Sequence, residues 1–177
     1  MKRALACLIA LLAGQIVSPM AVAGSLDFLR DENDREPWQE SAYKLPTFPK
    51  DSDLLEFYVS PTATAKYYID RNSIDAGHED DVVRYTMVIK AAGGATNVTY
   101  EGLHCDANKL RLYATGRSDG TWTEVPNSEW KTITGANKRQ WILARYYFCP
   151  GYIAIYNAAE GVRALKNGVH PNADPNR

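Results

Sequence analysis

The sequence predicts an α+β fold: an antiparallel meander of about five to seven strands, covered by C-terminal helices. Three observations predict it. Segments of alternating apolar and polar residues follow one another from Leu55 to about Ile133, separated by Gly- and Asp-containing turns. Helical spacing replaces that alternation after Asn137. One cysteine, Cys105, ends a predicted strand, and a second, Cys149, ends the first predicted helix.

The chain opens with "MKRALACLIALLAGQIVSPMAVA". Lys2 and Arg3 precede an apolar run from Ala4 to Val17, too short to span a bilayer comfortably. Ser18-Pro19 breaks the run, and Ala21-Val22-Ala23 fits a processing site. Residues 1–23 therefore read as a secretory signal peptide cut before Gly24. Cys7 lies inside the apolar run and leaves with it. The expected location is the periplasm, with the outer surface or secretion as alternatives.

Removal of residues 1–23 from the 177-residue chain leaves 154, enough for one domain with its own core. Lys2 and Arg3 leave too, so 18 of the 20 cationic residues face 21 acidic ones, a net charge of −3. That balance gives no reason to expect nucleic acid or an anionic membrane as partner. No later segment is long and apolar enough to span a membrane.

Residues 24–53 are polar and interrupted by proline, and read as an extended lead-in. Trp38, Leu45 and Phe48 are the side chains able to pin it to the body. A single α+β domain is expected over 54–168, and a flexible tail over 169–177. Within the domain, "LEFYVSP" (55–61) is a short strand ended by Pro61, and "KYYID" (66–70) is a second. "RNSIDAGHEDD" (71–81) reads as a turn cluster. "VVRYTMVIK" (82–90) is the clearest strand: Val83, Tyr85, Met87 and Ile89 point one way, and Arg84, Thr86 and Lys90 the other. "AGGA" turns the chain into "TNVTYEGLHC" (96–105), where Val98, Tyr100 and Gly102 share a face.

"KLRLYATG" (109–116) places Leu110, Leu112 and Ala114 inward and Lys109, Arg111 and Tyr113 outward. Asp119-Gly120 signals a two-residue hairpin, with "WTEVP" returning and "SEWKTI" extending the sheet. Asn137 and Gln140 resemble a capping box ahead of "WILARYYF". As a helix, this segment gathers Ile142, Tyr146 and Cys149 on one face; a further strand over 140–148 is the alternative. Asn157 caps a second helix, with Glu160 in its first turn and Gly168 at its end.

Two thiols in an exported chain read most simply as a disulfide. A zinc site needs more ligands, and His78, His104 and His170 are scattered; two free thiols are the remaining alternative. A Cys105–Cys149 bridge would restrict the unfolded chain by about 4 kcal/mol in the loop-entropy account.

Chemistry is sparse. Ser118 falls at the predicted hairpin tip, and no G-x-S-x-G elbow occurs. Strand alternation puts Glu101 and His104 on opposite faces, barring a bulge at Gly102. "HEDD" (78–81) reads as a solvated acidic turn, and "NVT" (97–99) as an accidental glycosylation sequence. No metal, cofactor or catalytic set is expected. The 11 tyrosines and 4 tryptophans mark a recognition surface as the alternative to packing, with Tyr67, Arg111, Tyr113, Arg117 and Trp122 as candidates.

Several segments together resemble the CNP-one-like family of exported bacterial proteins. They are "PWQE" (37–40), "LPTFPKDSDLLEFYVS" (45–60), "YYIDRNSI" (67–74), "VVRYTMVI" (82–89), "NVTYEGLHC" (97–105), "GRSDGTW" (116–122), "NSEW" (127–130) and "FCP" (148–150). The resemblance implies no assigned activity and no catalytic residues. The order "YYIDRNSI", "VVRYTMVI", Cys-ended strand, Trp hairpin and late Cys is also similar to surface-adhesin protein E domains. That likeness implies an antiparallel sheet with a helix tethered by a disulfide, and adhesion to extracellular protein. The longer lead-in, the helix after Cys149 and the lack of a lipid-anchor signal depart from that layout.

The function expected is a non-catalytic binding or interaction module of the periplasm or envelope, its partner an envelope or extracellular protein. Alternatives are an adhesin-like module and a hydrolase of envelope material. The hydrolase requires a deep cleft with Glu101 or His104 at its floor.

Overall fold

Three long strands, the first of them mostly β-branched or aromatic, set the architecture. The computed structural model describes residues 37–77 and 79–174; the predicted signal peptide lies outside these. The long strands are β4 (Val82–Ala91), β5 (Thr96–His104) and β6 (Lys109–Gly116). Short strands flank them: β1 (Leu54–Phe57), β2 (Ala65–Asp70), β3 (Asp75–Gly77), β7 (Trp122–Glu124) and β8 (Lys131–Thr132). All pair antiparallel in one eight-stranded sheet of order β1-β2-β4-β5-β6-β7. β3 shares the outer edge of β4 with β2, and β8 shares that of β6 with β7. The segment read as a turn cluster thus holds a strand: Asp75–Gly77 pairs with Val82–Arg84.

The β4 alternation sends Tyr85 and Met87 into the main core, beside Leu103 of β5. Two helices cover that face: α1 (Lys138–Leu143) and α2 (Ala158–Asn167). Residues 140–148 are helical, not a strand, but the helix changes pitch. Ala144–Phe148 forms a π-helical turn closed by the Cys149 amide on the Ala144 carbonyl. The wider turn rotates the buried face away from the predicted stripe. Leu143, Ala144, Tyr147 and Phe148 are buried, while Ile142 and Tyr146 are half-buried at the margin. The capping box lies one turn earlier than predicted, between Thr134 and Asn137. Asn157 caps α2 through the Glu160 amide, and Gly168, at φ 79°, ends it.

Cys105 and Cys149 are bridged, with their Cα atoms 5.3 Å apart. Tyr85 and Gln140 both donate to the buried Glu101 carboxylate, at 3.0 Å, so a polar tie fastens α1 to the sheet beside the covalent one. Burial, then the Glu101 charge and bond, push the Tyr85 phenol well above its ordinary value.

The opposite face is not solvated. The segment from Trp38 to Lys50 crosses it without regular structure, so Arg84 and Thr86, predicted outward, are fully buried. Tyr113, also predicted outward, is buried with Tyr100 and Ala114 under Tyr43 and Leu45. A bulge makes room: Tyr100 pairs with Ala114 and Glu101 with Leu112, leaving Tyr113 unpaired between them. Gly102 leaves space for its ring, since a Cβ there would lie 2.5 Å from the Tyr113 hydroxyl.

Candidate functional site

Two polar constellations stand out, one beneath the crossing segment and one beside the disulfide. In the first, Glu40 accepts from Tyr113 Oη (2.5 Å), Arg111 Nη1 (2.5 Å), Trp130 Nε1 (3.1 Å) and Arg84 Nη2 (3.4 Å). Asp80 accepts from Arg84 Nη2 and from the Ser41 amide. Asp80 is therefore not the solvated turn residue that "HEDD" suggested; it is buried, and its neighbour His78 lies outside the described residues. Burial pulls the Asp80 carboxyl upward, but the bonds from Arg84, Ser41 and Val82 outweigh it and hold it below its ordinary value. Burial, then the Glu40 bond, raise the Tyr113 phenol. Trp38 stacks on His104 at 4.3 Å and donates to the Asp80 carbonyl. This network is closed: its charges answer one another, and it works as a clamp.

The second constellation opens onto a cavity of about 150 Å³. Ile133, Trp141, Ala144 and Tyr152 supply apolar wall, and the bridged Cys105 and Cys149 line it as well. Arg145, Asn108 and Asn172 bring donors; the exposed Asp174 brings a carboxylate. The π-helical turn places Arg145 here, and such turns recur at functional sites. Gly151 and Tyr152 both take left-handed backbone, at φ 66° and 68°. For a bulky residue that conformation costs on the order of 1–3 kcal/mol, and it holds Tyr152 at the cavity.

Arg145 is unlike the other arginines with buried nitrogens. Its guanidinium carbon lies 5.3 Å from the centre of the Trp141 ring and 5.9 Å from that of Tyr146. Its Nε and Nη2 are buried with no hydrogen-bond acceptor. Arg71, Arg84 and Arg111 each lack an acceptor at Nε alone and place another nitrogen on a carboxylate. Among the described residues, Arg145 has no ion pair.

The predicted interaction residues do not form one surface. Tyr67 packs at the margin of the helix-side core near Phe57, and Tyr113 is buried under the crossing segment. Arg111 is bound to Glu40, Trp122 donates to the Pro46 carbonyl, and Arg117 is exposed at the hairpin turn. Glu101 and His104 point to opposite faces, as strand alternation requires. His104 lines the cavity, and burial lowers its pKa; Glu101 is spent on Tyr85 and Gln140. Ser118 is exposed in the turn. No cluster of three or more metal-ligating side chains occurs among the described residues.

A family model, that of the CNP1-like family, matches residues 33–166. The chain belongs to the CNP1-like family. The match runs from before the Glu40 clamp to the last residues of α2, so it holds the whole clamp and all of the cavity lining but Asn172 and Asp174. No curated protein and no solved structure matches the chain. Among the described residues of this CNP1-like protein, no helix is long and apolar enough to cross a membrane.

Sequence reasoning missed Glu40, Asp80 and Arg145. A signal for Arg145 was present: Trp141 and Arg145 are four apart, the spacing that stacks a cation on a ring along a helix.

Proposed function

We propose that this protein is an exported, non-catalytic binding module of the bacterial envelope, and that its ligand site is the cavity beside the Cys105–Cys149 bridge. The observation that carries the reading is Arg145: a half-buried cation held against two rings, lining a cavity of mixed polar and apolar wall, with no ion pair among the described residues. A charge held in this way costs desolvation and has no ion-pair partner among the described residues to offset it. Such a cost is retained where a ligand makes use of it. The opposite face supports the reading by contrast, because there every buried cation is answered.

The signal peptide read in residues 1–23 and the disulfide both suit an oxidising compartment. A protein of the envelope is the expected macromolecular partner, to be sought by pull-down from the envelope fraction. The binding test is a thermal-shift and calorimetric screen of the mature protein against small acids, amines, neutral rings and phosphate. Saturable binding that is weakened by Trp141→Ala supports the reading. A flat response across the whole panel, or turnover of a ligand, refutes it.

A further inference from the structure

We infer that the cavity takes a small carboxylate with a ring-sized apolar body, its carboxylate at the Arg145 guanidinium and its body against Trp141 and Ile133. This rests on the cavity being the ligand site.

Size comes first. A cavity of about 150 Å³ accommodates a benzene-sized group, and most of a nucleotide or an oligosaccharide would lie outside it. The walls come second. Ile133, Ala144 and the rings of Trp141 and Tyr152 favour an apolar body, and the bridged sulfurs add polarisable surface. Charge comes third. Arg145 is the permanent cation of the lining. His104 also lines it, but burial lowers its pKa, so it is neutral at pH 7.

Cation–π contact with Trp141 and Tyr146 holds the guanidinium in place without using its N–H groups. Nε and Nη2 are buried without an acceptor among the described residues, so the guanidinium keeps unused N–H groups for an anion. The Asn108 and Asn172 amides are further donors along the lining. A singly charged carboxylate suits this set better than a phosphate. Only one permanent cation lines the cavity, and Asp174 lines it with the opposing sign. A dianion would meet too little positive charge to repay its desolvation.

The test is titration of the mature, disulfide-bonded protein with benzoate, benzamide, benzylamine and inorganic phosphate, followed by calorimetry and by the Trp indole signals in NMR. Benzoate is expected to bind saturably and at least 10-fold more tightly than benzamide, benzylamine or phosphate. Arg145→Gln is expected to remove that preference while benzamide still binds; Arg145→Lys is expected to keep part of it. If benzamide or benzylamine binds saturably as well as benzoate or better, the cavity stands as a ligand site and the carboxylate assignment falls. Tighter binding of phosphate at the same indoles also overturns it. If no probe binds, both readings fall. The wild-type series decides the matter even where an Arg145 variant fails to fold.

Discussion

Glu40 answers four donors with one carboxylate: two guanidiniums, a phenol and an indole. Its own chain is irregular, so its position depends on those bonds and on neighbouring packing. Removing it leaves Arg84, 2% exposed at the side chain, with Asp80 as its remaining described carboxylate beside the Ser41 carbonyl, and leaves Arg111 with no described carboxylate. Glu40→Ala is expected to cost about 3–5 kcal/mol in urea unfolding, the range for breaking a buried ion pair from one side. Asp80 sets a pH dependence. Its folded-state pKa is depressed, so its contribution is complete above the free-aspartate value of about 4 and is lost as pH falls through the folded value. The urea midpoint of the wild type is therefore expected to fall in acid below pH ~4. Asp80→Asn should be less stable at pH 7, with a flatter acid limb.

At the scale of elements, the bulge in β6 and the glycine opposite it act together. Gly102→Ala would press a methyl group against the Tyr113 ring, which Glu40 holds in place. The expected loss is about 1–3 kcal/mol, the usual range for overpacking, read as a lower urea midpoint. The bridge ties the end of β5 to the end of the π-helical turn across 44 residues. Replacing both cysteines by alanine is expected to cost about 4 kcal/mol on loop entropy, checked by comparing midpoints with the oxidised parent. How far these elements were legible follows from where their determinants lie. Asn157 and Gly168 announce α2 because capping is local chemistry, and β4 announces itself by alternation. The pitch change after Leu143 has no local signature; it follows from seating Tyr147 and Phe148 on the sheet. The burial of Arg84, Thr86 and Tyr113 was hidden for another reason. Alternation shows which side chains share a face, not what lies across it, and the covering segment reads as polar chain.

At the largest scale, the described residues from Trp38 onward form a three-layer stack: helices, sheet and an irregular strap from Trp38 to Lys50. The strap takes the place of a second helical layer, bringing Tyr43 and Leu45 onto Tyr100 and Tyr113. A chain lacking residues 24–50 would expose those rings and strip Glu40 from Arg84 and Arg111. It is expected to lose cooperative thermal unfolding, seen by near-ultraviolet circular dichroism. By contrast, shortening the chain after Asp174 removes none of the residues named in the three layers and is expected to keep the transition. The candidate cavity was the least legible feature, because its lining comes from β5, the loop after it, the helical turn and the residues after α2.

The divided flanks of the sheet have a consequence for life at high concentration. β4 and β6 each have an outer edge shared by two short partners, and the outermost strands, β1 and β7, have four and three residues. Among the described residues no long row of open amides is offered to a second chain, so growth of the sheet from molecule to molecule finds little template. The layout of these margins, apart from any surface charge, works against stacking of one sheet onto the next as concentration rises.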